Sequence, residues 1–552
     1  MGTMEEWIHM AREEAMGHPV TLGVTIVFLV VNALILIWWH HPLYGKNLGP
    51  VTYPVVGSLP SLTRNAGRIL EYFTDEIAKS PTHTMRFVRP GGYVVYQTAN
   101  VENVEYILKT RFENYVKGEY LGDILEELLG KGIFNVDGSL WKLQRKLASH
   151  EFSSRSLREF SFECAEKELE DRLVPILSQV SRDGSVVDLQ DLFLRFSFDH
   201  ICQLGFGVDP NCLEPSLPNV RVMQAFDLAN DMTVKRFSMP PVVRKFKKYF
   251  NLGTERELKE AMIVVNEFAQ GVIQARRKEF CNSASGDSSR LARQDLLSRF
   301  MRFTDSSDAD MLMQSELEQK CMSDLNLDAS DPQTKEHASD VFLRDIVISF
   351  ILAGRDTTSA ALSWFFHALS GNPEVEAKIY HEIKEARSQG ESPPDHFLSF
   401  EQQKKLHYLN GAIHESLRLF PPVPLDTKQA VRDDALPDGT VMLKGERVTY
   451  NVFAMGRMET IWGPYCNEFK PERWLKDGVF VPESSFKFTT FQAGPRICLG
   501  KELALIQMKL ISSHLIYHFQ FTMQEKNPPM TYRSIVFRMR GGLPVRVHPR
   551  AH

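Results

Sequence analysis

Phe491-Gln492-Ala493-Gly494-Pro495-Arg496-Ile497-Cys498-Leu499-Gly500 stands about fifty residues before the C-terminus, directly ahead of an apolar helical pattern. Read as a metal-binding loop, each fixed residue has a task. A ligand sulfur must be a thiolate. The start of the next helix offers N–H groups and a positive dipole end, and both lower a thiol pKa. Gly494 permits a tight turn where a Cβ would clash. Phe491 is apolar cover for the sulfur, Arg496 can reach an acidic group on a ligand, and Gly500 lets the helix lie against a flat ring. These tasks fit together if Cys498 is the axial ligand of a haem iron, because a thiolate pushes electron density onto iron and favours O–O cleavage. The competing reading is a buried structural cysteine, the common fate of a free thiol.

The rest of the composition is ordinary. The chain has 552 residues, 43% hydrophobic and 24% charged, with a net charge of −5. That length supports one large core or two to three domains. The absence of a basic bias gives no reason to expect nucleic acid as a partner. Seven cysteines (164, 202, 212, 281, 321, 466 and 498) lie scattered without CxxC pairs. That pattern argues for a reducing compartment and against a disulfide framework or a zinc site.

Val20 to Trp39 is twenty residues without a charge. As a helix it spans about 30 Å, the thickness of a bilayer core. Glu5, Glu6, Glu13 and Glu14 precede it, while His40, His41, Lys46 and Arg64 follow. This bias places the C-terminal side in the cytoplasm. A cleaved signal would need a basic leader, a shorter apolar core and a small-residue cleavage site, and none is present. The predicted organisation is a luminal tail at 1–19, a transmembrane anchor at 20–39, a Pro/Gly-rich linker at 40–60 that stiffens the join, and one domain at 61–552.

That domain reads as mainly α with a small β region, an α+β fold. Thr84–Phe87 and Tyr93–Gln97 form a hairpin across Pro90-Gly91-Gly92. Helical periodicity dominates from Glu102 to about Tyr380, and short β-like runs return at Arg447–Tyr450 and Ile535–Val547. Two breaks are expected: a Ser/Gly-rich one at Asn282–Ser289, and Asp305–Asp340, whose ten acidic residues suggest a surface loop, with room for a short helix.

Four further patterns agree with haem. Ile346–Leu369 is apolar around most of its circumference and so should be a buried helix. Arg355 and Asp356 at its middle argue against a second membrane span. Within it, Ala353-Gly354-Arg355-Asp356-Thr357-Thr358 combines room at Gly354 with a Thr357 hydroxyl that can bond back to a carbonyl and open the helix. Dioxygen could lie in that niche, with Asp356 and Thr357 relaying protons to it. Glu415-Ser416-Leu417-Arg418 places an acid and a base on one helix face, ahead of Pro471-Glu472-Arg473-Trp474. Trp141 and Arg145 share a helix face, and both can hydrogen-bond a haem propionate. Lys146 adds a charge that could face a reductase.

In this order the motifs resemble the cytochrome P450 family over the whole chain after the anchor. The resemblance implies the family fold preceded by one transmembrane helix. It also implies haem b bound by Cys498, with Arg496, Trp141, Arg145, Phe491 and Gly494 contributing to its site. Asp356 and Thr357 would be the acid–alcohol pair, and Glu415, Arg418 and Arg473 a buried structural network. Electrons would come from NADPH through NADPH–cytochrome P450 reductase. The anchor implies the microsomal class, single-pass in the endoplasmic reticulum membrane with a cytosolic body.

Gly132–Gly138, Leu436–Thr440 and Ala454–Gly463 are similar to the plant fatty-acid ω-hydroxylases, including the subgroup acting on jasmonate-type amino-acid conjugates. An apolar substrate that partitions into the membrane follows from the anchor itself. Terminal attack needs a narrow channel that keeps internal carbons from the iron. Candidate linings are Val116–Phe134, Phe350–Ala353, Val423–Asp426 and Ser534–Met539, and Arg538 or Lys428 could meet a carboxylate. Two other readings compete with a lipid monooxygenase: a haem-thiolate hydroperoxide isomerase or dehydratase, and a non-catalytic haem sensor or carrier. Asp356-Thr357 argues against both, since neither uses a proton relay.

Overall fold

The computed structural model describes residues 19–40, 49–90, 92–152, 154–283, 295–305, 316–328, 330–388, 397–524, 530–531 and 534–550. Most of the expected luminal tail, residues 41–48 of the expected linker, Gly91, the greater part of the Ser/Gly-rich break, and residues 306–315 and 329 of the acidic break lie outside them.

Pro19–His40 is one uninterrupted helix of 22 residues. Its described side chains run from 23 to 35, and Val24, Phe28 and Leu29 stand exposed. Among the described residues no helix is long and apolar enough to cross a membrane. Beyond it the chain docks early on the body. The Ser58 N–H donates to the Val88 carbonyl at 2.7 Å. Gly57 has φ +58°, and a Cβ there would drive into the same carbonyl.

The hairpin forms as expected, Thr84–Val88 against Val94–Thr98, with Val88 opposite Val94. It is the edge of a five-stranded sheet. Val94–Thr98 pairs in parallel with Arg447–Asn451, which pairs antiparallel with Leu425–Ala430, and Tyr115–Val116 closes the far edge. A smaller sheet joins Val186–Asp188, Pro544–Pro549 and Phe519–Met523. Everything else of size is helical.

The acidic segment is more ordered than its composition suggests. Glu316–Asp324 is a helix. Pro332 begins the helix that runs to Ile351, capped by the Asp331 side chain, which accepts from the Thr334 N–H. The short helix for which this segment had room is thus present, with its acids on helix surfaces and a cap, while residues 306–315 lie outside the described residues.

One buried carboxylate organises the region below the cysteine loop. Glu415, in the helix His407–Leu419, is wholly buried. It accepts from Arg418 (Nη2 2.7 Å, Nε 2.8 Å), the Lys470 N–H (2.9 Å), the Trp474 indole (2.9 Å) and Arg473 Nε (3.4 Å). Arg418 in turn donates to the carbonyls of Cys466 at 2.6 Å and Glu468 at 3.1 Å, and to that of Gly456. Arg473 donates to Trp462 and Tyr465. Two helical patterns fifty-five residues apart thus clamp the intervening chain onto one charge. Glu415→Ala should leave the buried guanidinium of Arg418 and the half-buried one of Arg473 without their anion and cost about 3–5 kcal/mol. The denaturation midpoint of the purified variant measures this, and an unchanged midpoint would show that the hub contributes no net stability.

Candidate functional site

The Cys498 N–H donates to the Phe491 carbonyl at 2.8 Å, and the Ile497 N–H to that of Gly494 at 3.1 Å. These bonds fold 491–498 into a closed loop before the helix Lys501–His518. Gly494 has φ +65°, and a Cβ on it would strike the Leu108 carbonyl oxygen, so only glycine fits. Phe491 packs at the margin of the main core. Among the cysteines with described side chains, Cys498 alone is exposed. It is nonetheless deep in the molecule. Burial pushes its thiol pKa up, while the Gly500 N–H, the Arg145 charge, and the charge and N–H of Lys501 pull the other way. A sulfur that a solvent probe can reach, yet that protein surrounds, borders a hollow. The helix-start N–H groups act as expected, but burial outweighs them. Within the protein a Cβ at Gly500 would meet only ordinary contacts, Phe152 Cε1 at 3.8 Å and Cys498 Sγ at 4.0 Å. Any demand for glycine there comes from whatever fills the hollow.

The helix expected over Ile346–Leu369 lies across that gap. The Phe152 ring, beside Gly500, stacks on Phe350 at 5.8 Å, one turn before Ala353. The helix Pro332–Ile351 passes through a π turn at Leu352–Asp356 and continues as Thr357–Ser370. The Thr357 hydroxyl donates to the Ala353 carbonyl at 2.6 Å, the back-bond expected to open the helix. From Asp345 to Phe366 every residue is buried except Ala353, Gly354 and Thr357, which open on one face. The room expected at Gly354 is not free, since a Cβ there would meet Ile201 side-chain atoms at 2.5–2.8 Å. Glycine at this position admits the neighbouring helix Leu189–Phe206.

Asp356 and Thr357 are adjacent in sequence but differ in surroundings. Asp356 is fully buried. Its carboxylate pairs with Arg355 at 3.0 Å and Arg538 at 2.5 Å, and accepts from Asn230 at 2.8 Å. Both arginines also hold Asp227, at 2.7 and 2.9 Å. Burial raises the Asp227 carboxyl pKa, but Arg355 and Arg538 outweigh it and hold it below the ordinary range. Arg538 is therefore committed to two internal carboxylates, which answers the expectation that it meets a substrate acid. Asn230, Asp227 and Arg538 carried no local sequence signal for this cluster.

Trp141 and Arg145 lie in the helix Gly138–Phe152. The Arg496 guanidinium sits 4.4 Å over the Trp141 ring and donates to Asp137 at 2.6 Å and the Val136 carbonyl at 2.9 Å. Arg145 makes no hydrogen bond or ion pair among the described residues; burial lowers its pKa and the nearby Cys498 raises it. A second cluster adjoins the loop. Asp426 accepts from Lys117 (2.9 Å), Lys428 (3.1 Å), Tyr450 (2.6 Å) and the loop residue Gln492 (2.9 Å). Burial favours the neutral acid, but Lys117 and Lys428 override it and drive the Asp426 pKa far below normal. Burial pulls Lys428 down to about 7. Lys428, the other expected substrate cation, thus serves Asp426, which belongs to this network rather than to a channel lining. The spacing Asp426–Lys428 in a strand places both on one face, a signal that could have been read. Lys146 stands exposed on the same helix as Arg145.

Charge decides what this hollow suits. Arg145 and Lys501 act on the accessible sulfur without a carboxylate partner of their own among the described residues, while Arg496 is paired with Asp137 and Lys117 and Lys428 with Asp426. A haem, with two propionates and an iron that takes a thiolate, matches that set.

The cytochrome P450 family model matches residues 48–543. The chain is 40% identical to cytochrome P450 94B1 of Arabidopsis thaliana over 509 residues, 91% of each chain. It is 39% identical to cytochrome P450 94A1 of Vicia sativa (91% of this chain, 90% of that one) and 39% identical to cytochrome P450 86B1 of Arabidopsis thaliana (95% and 89%). With that extent of match and this haem-shaped site, the chain belongs to the cytochrome P450 family and is a haem b monooxygenase supplied with electrons from a reduced nicotinamide cofactor through a redox partner.

Proposed function

We propose that this monooxygenase hydroxylates a membrane-partitioning lipid, a fatty acid or oxylipin, at its terminal carbon. Cys498 holds the haem, NADPH–cytochrome P450 reductase supplies the electrons, and the reaction runs at the endoplasmic reticulum membrane. The observation that carries the haem assignment is Cys498 itself, the one exposed cysteine among those with described side chains, with the charges of Arg145 and Lys501 beside it. Thiolate-bound haem supplies dioxygen activation and insertion of one oxygen atom into a C–H bond. The protein orients and protonates. Trp141, Arg145 and Arg496 would hold the haem propionates, and Ala353, Gly354 and Thr357 would face the haem from the oxygen-binding helix. The Thr357 hydroxyl holds its proton against the Ala353 carbonyl and can turn into the hollow to donate it. Asp356 resupplies that proton only by loosening from Arg355, Arg538 and Asn230, so the cluster sets the pace of relay. Residues 20–39 form the anchor with 1–19 luminal, and the linker sets the body at 61–552 against the cytosolic face. Lipid specificity is supported by the similarity of the three segments named above to ω-hydroxylases.

Cys498→Ala should abolish the red-shifted absorbance band of the reduced CO complex; a variant that kept it would remove Cys498 as ligand. Thr357→Ala should retain haem but consume NADPH with less product, at least tenfold less per NADPH if the hydroxyl supplies ordinary general-acid assistance. Unchanged coupling would exclude Thr357. Removing residues 1–39 should shift most of the protein from the membrane to the soluble fraction, and full retention would place the anchor elsewhere. Turnover with lauric, oleic and jasmonoyl-isoleucine substrates, read by mass spectrometry, tests the lipid assignment. Terminal hydroxyls support it, and absence of product from a preparation with an intact CO spectrum rejects it.

A further inference from the structure

Arg447 is a buried cation outside the clusters above, and unlike Arg236 and Arg244 it has no carboxylate partner among the described residues. It lies in the strand Arg447–Asn451 and is only 7% exposed. Its guanidinium sits 3.7 Å over the Tyr120 ring. The Tyr120 hydroxyl accepts from Arg89 Nη1 at 2.5 Å, and the other Arg89 amino group donates to the Phe237 carbonyl. Burial pulls the Arg447 pKa down, Tyr120 raises it and Arg89 lowers it further, with no carboxylate among these groups. The recorded partners of Arg89 are likewise a hydroxyl and a carbonyl. Carboxylates on the adjoining helices are engaged elsewhere: Asp123 with Arg244, Glu127 with Lys248 at 2.6 Å, and Glu255 with Arg236 at 2.5 Å. The buried Arg447 and the half-buried Arg89 thus flank one phenol with no carboxylate partner among the described residues, and for the buried guanidinium that is costly unless a ligand completes it.

Their position points to the ligand. Arg447 shares a sheet face with Thr427 and Gln429, opposite the face of Asp426, Lys428 and Tyr450. Two helices leave this spot. Gly118–Leu129 starts beside it with Tyr120 and ends near the oxygen-side helix, the continuous run 332–370 that carries Thr357, where Asp345 accepts the Lys131 N–H at 2.7 Å. Arg221–Phe237 ends at it, with Asp227 and Asn230 bonded to Arg355 and Asp356 at the other end. From Asp227 to Phe237 is ten residues, about 15 Å of helix. The arginine pair therefore sits at one end of both helices, and the contacts of Asp227 and Asn230 with Arg355 and Asp356, next to Thr357, lie at the other. We propose that Arg89 and Arg447, with the Tyr120 hydroxyl, bind the carboxylate of the lipid substrate and hold its chain with the methyl end toward the haem. Guanidinium forks match a carboxylate in geometry, and the span suits an extended medium-length acyl chain. The proposal rests on the lipid-acid reading given above.

The test uses full-length holoenzyme in detergent. Absorbance shifts on titration with lauric acid and with methyl laurate give two affinities for the wild type, Arg89→Gln and Arg447→Gln. The CO spectrum of each variant controls for folding, and Arg89, at a half-buried hairpin edge, keeps the test available if Arg447→Gln fails to assemble. The expected result is a loss of roughly tenfold or more for the acid in either variant, as for a charge-assisted contact, with little change for the ester. Equal losses for acid and ester, or unchanged binding of the acid, would overturn the site while leaving the lipid reading intact. A wild type that binds neither compound would overturn the lipid reading and this site with it.

Discussion

A charge placed in a protein interior needs its opposite within hydrogen-bonding reach, because the desolvation it suffers is otherwise unrecovered. This requirement orders the molecule. Glu415 gathers Arg418, Arg473, a backbone N–H and an indole. Asp227 and Asp356 share Arg355 and Arg538. Asp426 takes Lys117 and Lys428. Each cluster joins segments far apart in the chain, so together they fix the sheet, the cysteine loop and the roof helix relative to the oxygen-side helix. Hydrophobic burial supplies most of the favourable free energy, but it is non-directional, and these ion clusters specify the arrangement. Where the balance fails, at Arg145 beside Cys498 and at Arg447 beside Tyr120, the chain presents cations to something it does not itself provide.

What was legible in the sequence was local. The cysteine loop, the π-bulged helix and the Glu415–Arg418 pair are contiguous or spaced by one helical turn, and backbone geometry alone brings their groups together. The hairpin was equally readable, since alternation and turn residues act over a dozen positions. Partners across long separations were not. Arg538 and Lys428 showed charge and an apolar neighbourhood, which suggested substrate contact, but nothing in the sequence disclosed Asp356 or Asp426 as their counter-ions. Arg447 went unnoticed for the converse reason, since a missing partner leaves no trace in a string of residues. In the acidic stretch a short helix was anticipated, but not its bounds or the start of the next helix at Pro332. Composition measures solvation, and an exposed helix is as well solvated as a loop.

Gly354 shows how a correct motif can carry a partly wrong explanation. The glycine was expected to leave space for dioxygen. In the structure it lets Ile201 approach the helix, and the opening toward the hollow comes instead from the π turn and the small or hydroxylated faces of Ala353 and Thr357. A π turn adds a residue to one turn and so re-aims the side chains around it. Asp356 turns into the roof cluster while Thr357 faces the hollow, dividing between two neighbours the tasks of storing charge and offering a proton.

The roof helix Arg221–Phe237 is pinned at both ends and by different means. Asp227 and Asn230 tie it to the oxygen-side helix. At the other end Arg236 bonds Glu255 and the Ile124 carbonyl at 3.0 Å, and Phe237 accepts from Arg89. A helix held this way cannot easily tilt to shorten or lengthen the space beneath it. Terminal C–H bonds are stronger than internal ones, so an enzyme that attacks chain ends must deny the haem access to the weaker positions. Shape alone does this poorly for a flexible alkyl chain, which can fold to present any carbon. Under the proposed reading, fixing the acid end at a set distance from the reacting centre would remove that freedom, and the pinned helix would make the distance a property of the protein rather than of the substrate.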